Sequence, residues 1–505
     1  MRRFSGRWPV LAALALPFPF VTTCGDSVGD GPGTVDPAGF VVDGGPGDQR
    51  AGFLVAALGD VDGDGLNDIA VEAESANPGF VRVFVIFGKP DSTDVDLAAV
   101  AAGDGGFVID SVPMTYDPES DTPNVVQPVS RGGDINNDGF ADILIGTNTL
   151  HANYKSPARA YVVWGKASPG PVDLAKLGDG GVILEGGADW DGFGHSVYTA
   201  GDVNADGFAD IIVSAPYGLG AYVIFGGAGT LAQPTTIAAG GGGGYLLAHN
   251  GVEWVSGGND VNGDGVPDVM VGSPSDGDGV GRVFVVFGKS GTTPVTLATV
   301  GEDMAGFVIE GDPKYRYAGA LVGSTGDFNG DGLGDVLVGA PGRVEQNEYV
   351  GCCGVHVVFG KADHAPVQLG ATDAALQIDV LTADVLKSRH FASCLGDINR
   401  DGRSDMIVAS APIYEERPGR VYVTYGRSEG GRVTAEELVA GKGGFSLDGD
   451  LKARDGFGTS VSRGEDINGD GADDLVIGAT NGAPYGRTYV MFSGDPTVLR
   501  SALNP

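Results

Sequence analysis

The stretch GEDINGDGADDLVIGA, residues 464–479, places oxygen-bearing side chains at alternate positions and then runs straight into an apolar strand. Asp466, Asn468 and Asp470 lie two residues apart, Gly471 follows, and Asp474 stands four residues beyond Asp470. Carboxylates packed this closely repel one another unless a cation sits among them. Hard oxygen donors on a loop bent at glycine suit Ca²⁺, which takes about six to eight oxygens. The side chains of Asp466, Asn468, Asp470 and Asp474 supply four ligands. The Ala472 carbonyl is the expected fifth, turned inward because Gly471 allows the sharp bend.

The same pattern, D-x-[DN]-x-D-G-x-x-D, occurs seven times, its lead aspartate advancing by roughly 68 residues per step. By the same reasoning the other ligand sets, the seventh position giving its carbonyl, are as follows. The first is Asp60, Asp62, Asp64, Leu66 and Asp68, and the second Asp134, Asn136, Asp138, Phe140 and Asp142. Next come Asp202, Asn204, Asp206, Phe208 and Asp210, then Asp260, Asn262, Asp264, Val266 and Asp268. The last two are Asp327, Asn329, Asp331, Leu333 and Asp335, and Asp397, Asn399, Asp401, Arg403 and Asp405. One such loop also admits a less favoured reading as a metal-free Asp/Asn/Gly hairpin; seven in phase do not. An EF-hand is a poorer fit, because strands flank the loops and no glutamate stands at the twelfth position. Up to seven calcium ions are expected, which would move the formal charge from −35 to −21. Such ions relieve repulsion held in the folded state, so their expected role is structural.

Two strands travel with each loop. Upstream lie GFVVDG at 39, GFVIDS at 106, GVILEG at 181, GYLLAH at 244, GFVIEG at 306, LQIDVL at 376 and GFSLDG at 444. Downstream, beyond the strand that follows the loop, lie segments such as RVFVIFGK at 82, AYVVWGK at 160 and RVYVTYGR at 420, each ending in an aromatic and a glycine. β-Branched and aromatic residues bounded by Gly, Pro and Asp read as strands. Four short strands per repeat cannot bury both faces alone, and packing them around an axis can. The expectation is an all-β, seven-bladed β-propeller of four-stranded antiparallel blades. With the leading strand outermost, Gly39–Asp43 must complete the last blade and close the ring. The repeats run over about 39–103, 104–178, 179–240, 241–303, 304–372, 373–441 and 442–494, with a tail over 495–505.

DGFGHSV at 191 and DGFGTSV at 455, the acidic loops, and VGSP, VSAP and VGAP after them resemble the FG-GAP repeat family, as found in the N-terminal propellers of integrin α subunits. The resemblance covers roughly residues 39–494 and is strongest in the loops. It departs at VEAES in the first repeat, PVSRGG in the second and EWVSGG in the fourth. It implies a calcium-binding, non-enzymatic propeller whose face opposite the metal loops binds partners. Only some integrin blades carry calcium, whereas all seven loops here qualify. Heterodimeric integrin biology is not expected to carry over.

The rest of the chain is consistent with an exported protein. Arg2, Arg3 and Arg7 precede VLAALALPFPFVTT and Cys24, which reads as a signal peptide over 1–24 with a lipobox-like end. Cys24 is the expected lipidation site. A Gly/Pro/Asp tether over 25–38 follows. The expected location is the outer cell surface or a periplasm-facing membrane as a lipoprotein, otherwise secretion, with the membrane reached only through that anchor. A formal charge of −35 argues against nucleic acid. Cys352, Cys353 and Cys394 leave one bridge, a vicinal bridge or free thiols open. The six histidines are scattered and no nucleophile elbow or phosphate loop appears, so no catalytic residues are expected.

The loops after the VGAP-type strand and after the GF-type strand should share the face opposite the metal. They bring Tyr116, Tyr154, Trp190, Trp254, Tyr315, Tyr317, Tyr349, Tyr414 and Tyr485. Aromatics ringing a polar concavity suit a protein partner or stacking on sugars. A monomeric cell-surface adhesion or protein-interaction module is the favoured expectation. A lectin-like glycan binder and a structural envelope protein are the alternatives.

Overall fold

The computed structural model describes residues 39–75, 80–113, 129–147, 158–168, 170–188, 191–340, 343–345, 348–350, 353–370, 375–381, 392–410, 419–449, 455–482 and 485–493. The chain divides into two compact units between Thr34 and Val35, and every described residue lies in the second. The signal-peptide reading, the tether and Cys24 therefore lie outside the described residues. Among those residues no helix is long and apolar enough to cross a membrane.

Alternating apolar positions fold each repeat into antiparallel strands, and among the described residues seven blade sheets result, with one further two-stranded hairpin. Blade 1 runs inner to outer through Val55–Gly59, Asp68–Ser75, Phe80–Ile86 and Gly106–Pro113. Blades 2 to 6 repeat the order, their inner strands being Val129–Gly133, Val197–Gly201, Trp254–Asn259, Leu321–Gly326 and Ala392–Gly396. Blade 7 takes Phe457–Glu465, Asp474–Ala479 and Arg487–Met491 from the end of the repeats. Its outer strand is Gly39–Asp43, paired antiparallel from Gly39 opposite Met491 to Asp43 opposite Arg487. Each inner strand packs against those of the two neighbouring blades, and blade 1 meets blade 7, so the ring is closed. Closure removes the open edge that an unrolled row of blades would leave.

The second strands are buried along nearly their whole length because both faces meet neighbouring blades, which is why they read as continuous apolar runs. On the outer rim an arginine near the start of the third strand pairs with the acid at the fifth residue of the outer strand. Arg82–Asp110, Arg159–Glu185, Arg282–Glu310, Arg420–Asp448 and Arg487–Asp43 repeat this contact in five blades.

Residues from several inner strands meet within the ring. The residue before the metal loop has positive φ in five blades as glycine: Gly59, Gly133, Gly201, Gly326 and Gly396. In blade 7 that residue is Glu465, with φ 57°, and its carboxylate pairs with Arg131 of blade 2, passing over blade 1. Tyr198, Arg463 and Cys394 gather near this pair, and burial pushes the Tyr198 hydroxyl up. Cys394 is a free thiol whose Sγ lies 3.0 Å from the Thr325 carbonyl oxygen of the preceding blade.

Phe40 on the closing strand is 1% exposed and meets Phe492 edge-on at 5.9 Å. Phe40→Ala is expected to destabilise the protein by about 3–5 kcal/mol, read as a lower urea midpoint. A midpoint within error of the unmodified chain would mean that the N-terminal strand does not hold the ring.

Candidate metal centres

Each acidic loop joins the inner strand to the second strand of its blade, so all seven lie on one face. The last loop shows the shared geometry. Asp466 Oδ1 accepts from the backbone N–H groups of Gly469 (2.7 Å) and Asp470 (3.0 Å), and its Oδ2 accepts from Gly471 (2.9 Å). Asn468 Oδ1 accepts from Asp470 N–H, and Asp470 Oδ1 from Ala472 N–H, both at 2.8 Å. The loop thus curls around its own oxygens. In the first loop, one oxygen each from Asp60, Asp62 and Asp68 lie within 4.8 Å of one another, a spacing that fits one hard cation. Two backbone positions make the curl. The sixth is always glycine, with φ between 83° and 94°. The fourth is also left-handed: Gly63, Gly263, Gly330 and Gly469 hold φ of 78° to 80°, while Asn137, Ala205 and Arg400 hold 58°, 58° and 60°.

The ninth-position aspartate ties the loop to the rest of its blade. Asp474 Oδ2 accepts from Ile467 N–H at 3.0 Å and its Oδ1 from Ser493 N–H at 2.9 Å. In blade 1 the same bonds run from Val61 and Gly88 to Asp68, both at 2.8 Å. In blade 3 they run from Val203 and Gly226 to Asp210. The donors are the loop's second residue and the residue after the aromatic that ends the third strand. That residue is glycine in six blades because the space is filled: a Cβ on Gly88 would lie 2.6 Å from Leu66 Cβ and 2.7 Å from the Asn67 carbonyl oxygen. All seven ninth-position aspartates are fully buried. Burial is the first cause of their raised pKa, outweighing the two N–H bonds that lower it. Asp142, Asp210, Asp268, Asp335 and Asp405 reach about 7, and Asp68 and Asp474 about 8.

Sequence reasoning missed the second loop position. Val61, Ile135, Val203, Val261, Phe328, Ile398 and Ile467 are all buried, anchoring an otherwise polar loop. The alternation of polar ligands hid them, although the apolar residue after each lead aspartate is itself a repeated signal. Neighbouring loops are also laced together. Asn67, Ala141, Ala209, Gly334 and Ser404 donate their N–H to the lead aspartate's carbonyl oxygen in the preceding loop, at 2.8–3.1 Å. Pro267 holds that position in blade 4 and has no N–H to give.

The antiparallel order puts the second-to-third and outer-to-inner connections on the face opposite the loops. Of the aromatic candidates, Tyr116, Tyr154, Trp190 and Tyr414 lie outside the described residues. Trp254 is half-buried and meets His195 edge-on at 5.2 Å, so it packs against the preceding blade. Tyr315 is a correction to the expected surface ring: it is 4% exposed, packs on His356 at 5.8 Å and accepts from Gln377 Nε2. Tyr317 and Tyr485 are half-buried, and Tyr349 lies in a hairpin, Arg343–Glu345 with Glu348–Val350. Two residues outside the sequence reading are far more exposed: Tyr217 at 69% and Leu219 at 54%, on one loop of blade 3. A cleft of ≈ 490 Å³ also opens beside blade 4, lined by Arg282, Glu310, Asp312 and Gln368 among others.

The FG-GAP repeat profile matches residues 193–231, 251–286, 319–351 and 457–491. Integrin alpha pat-2 of Caenorhabditis briggsae is 35% identical over 159 residues, 27% of this chain and 12% of that protein. Integrin alpha-IIb of Homo sapiens is 30% identical over 203 residues, 39% of this chain and 18% of that protein. Integrin alpha-V of Gallus gallus is 27% identical over 249 residues, 48% and 21%. The matches thus span only 12% to 21% of these relatives' own length. A solved structure titled "Structure of Dos1 propeller" overlaps 67% of this chain and 64% of that one, at 10% identity and a TM-score of 0.30, too loosely to bear on the argument. Fold and repeats together define a seven-bladed β-propeller carrying FG-GAP repeats. Within that class the protein is integrin α-like.

Two outcomes follow for the metal-free protein. The ninth-position carboxyls bind protons more tightly when folded than when unfolded, so their stabilising contribution is full below about pH 4 and is lost as pH rises through about 7 to 8. In chelator the melting temperature should fall between pH 5 and pH 8.5; a flat or rising profile would contradict this. Separately, Ala205→Gly relaxes a left-handed alanine and should raise stability by up to about 1 kcal/mol in chemical denaturation, the added unfolded-chain entropy limiting the gain.

Proposed function

We propose that this protein is an exported propeller that binds up to seven calcium ions and presents the face opposite them as a protein-interaction or adhesion surface. The observation that carries the proposal is the contrast between the two faces. One holds seven loops of a single oxygen-rich geometry, and the other holds loops that differ from blade to blade. The chemistry of the donor set supports calcium over softer metals: the loops offer carboxylate, amide and carbonyl oxygens, with no histidine or cysteine. In the calcium reading the lead, third, fifth and ninth side chains and the seventh carbonyl of each loop hold the ion. Calcium supplies charge compensation there and needs no open position for a substrate. Its effect is to fix the inner-to-second-strand turns, so that the opposite loops are carried on a stiff ring.

The partner-binding half of the proposal rests on the integrin α similarity and on exposed apolar groups. Tyr217 and Leu219 expose an aromatic and an aliphatic side chain two residues apart on one strand connection, a composition that suits a protein-binding anchor. Export agrees with the sequence-level leader, and calcium sites of the affinity expected here, roughly 0.1–1 mM, fill in extracellular media.

Calcium titration followed by calorimetry should show binding in that range, with a higher melting temperature that chelator reverses. No heat and no thermal shift would remove the metal half of the proposal. Beads coated with the protein should adhere to cell surfaces or matrix proteins only with calcium, and Tyr217→Ala with Leu219→Ala should weaken adhesion about tenfold or more. Adhesion lost to free sugars, with hits on a glycan array, would replace the protein-binding reading by the lectin one.

A further inference from the structure

The fourth and seventh positions of neighbouring acidic loops fit together by size. A bulky seventh side chain lies over the fourth residue of the preceding loop. A Cβ on Gly63 would lie 2.5 Å from Phe140 Cε1, one on Gly263 2.7 Å from Leu333 Cδ2, and one on Gly469 2.9 Å from Leu66 Cδ2. A Cβ on Gly330 would lie 2.7 Å from Arg403 Nε, whose N–H donates to the Asn329 carbonyl oxygen at 3.2 Å. Glycine at the fourth position makes room for the neighbour.

The junction between the sixth and seventh loops reverses this. The seventh residue of the last loop is the small, buried Ala472, and the fourth residue of the sixth loop is Arg400. Arg400 holds φ 60°, a left-handed backbone that four other loops give to glycine. Its exposed side chain reaches across to the last loop. Nη2 lies 3.6 Å from Asp470 Oδ1 and 3.5 Å from the Asp470 carbonyl oxygen. Among the described residues, this is the one ion pair that reaches a side chain proposed to ligate calcium.

The fourth loop supplies the comparison. It carries Asp260, Asn262, Asp264 and Asp268 where the last loop carries Asp466, Asn468, Asp470 and Asp474, with glycine at the fourth and sixth positions in both. Asp260 Oδ1 accepts from the N–H groups of Gly263 and Asp264 at 2.6 and 3.1 Å, and its Oδ2 from Gly265 at 2.8 Å. Each distance is within 0.1 Å of its counterpart at Asp466. Backbone and donor set are matched, and the charge placed beside them is not. The two other acids that flank the last loop's ligands have partners of their own, Glu465 with Arg131 and Asp473 with Arg463.

Given the calcium reading of the loops, on which this rests, we propose that Arg400 makes the last loop a weaker calcium site than the fourth, its guanidinium supplying part of the charge that an ion would bring to Asp470. An exposed arginine–aspartate pair adds little to stability. Its effect on a divalent ion is larger, because the guanidinium repels a charge twice its own. Water and salt screen that repulsion, so the affinity difference is about threefold to tenfold at low ionic strength and shrinks at about 1 M salt, where the Debye length is roughly 3 Å. The last loop belongs to blade 7, which residues 39–43 complete. The blade that closes the ring would then gain its ion later than blade 4 as calcium rises.

The test is amide hydrogen exchange on the full chain across a calcium titration at low salt, read separately over residues 260–266 and 466–472. The last loop should reach half-protection at about threefold higher calcium than the fourth, or more. Arg400→Gln should close most of that gap by lowering the midpoint of the last loop alone. Arg400→Gly, which installs the residue four other loops carry, should do the same, whereas Arg400→Lys keeps the charge and should keep the gap. Equal midpoints in the unmodified chain, or a gap that both neutral variants leave intact, would overturn the proposal. Exchange that calcium leaves unchanged in every loop would overturn the calcium reading, and the proposal with it.

Discussion

A buried carboxylate bonded at both oxygens organises each blade. The ninth-position aspartate accepts one N–H from within its own acidic loop and another from the end of the third strand. It therefore joins three strands at one point. Backbone N–H groups buried at such a corner would otherwise go unpaired, at a cost of about 1–3 kcal/mol each. The same group carries a charge that burial opposes. A cation among the neighbouring oxygens would resolve that conflict, letting the carboxylate ionise without losing either N–H. The glycine after the aromatic, the apolar second loop residue and the left-handed fourth and sixth positions all bring partners to this one carboxylate.

Repetition turns that local device into a ring. Backbone bonds from one loop to the lead aspartate of the previous loop make a belt around one face. The belt tolerates little variation, since each loop must satisfy its own blade and, at five of the seven junctions, its neighbour. The other face has no such obligation. Some of its connections send a side chain into the ring, as Tyr315 does, but their backbones differ in length and composition from blade to blade. Blade 3 raises Tyr217 and Leu219 there, and blade 4 shapes a cleft of mixed polar and apolar lining. Within the ring, the single departure from glycine in left-handed geometry before a loop among these blades, Glu465, is met by Arg131 from two blades away. Losing Arg131 would leave the largely buried Glu465 carboxylate without its partner, so the pair ties blades 7 and 2 to a common geometry.

The sequence by itself determined the number of blades, their strand order and the closing role of residues 39–43. Those follow from periodicity, and periodicity is a property of the chain alone. It also determined which side chains line each acidic loop, because alternate positions on a tight loop must converge. Tertiary structure decided what each remaining residue does. Tyr315 and Trp254 look like surface aromatics in the sequence, yet neighbouring blades bury one and half-bury the other, since inter-blade packing depends on residues some 40 to 60 positions away. Gln233 covering an outer strand and Arg131 meeting Glu465 are likewise contacts between blades, and no local pattern announces them. Local geometry is written in adjacent residues, whereas burial is set by what the closed ring brings alongside.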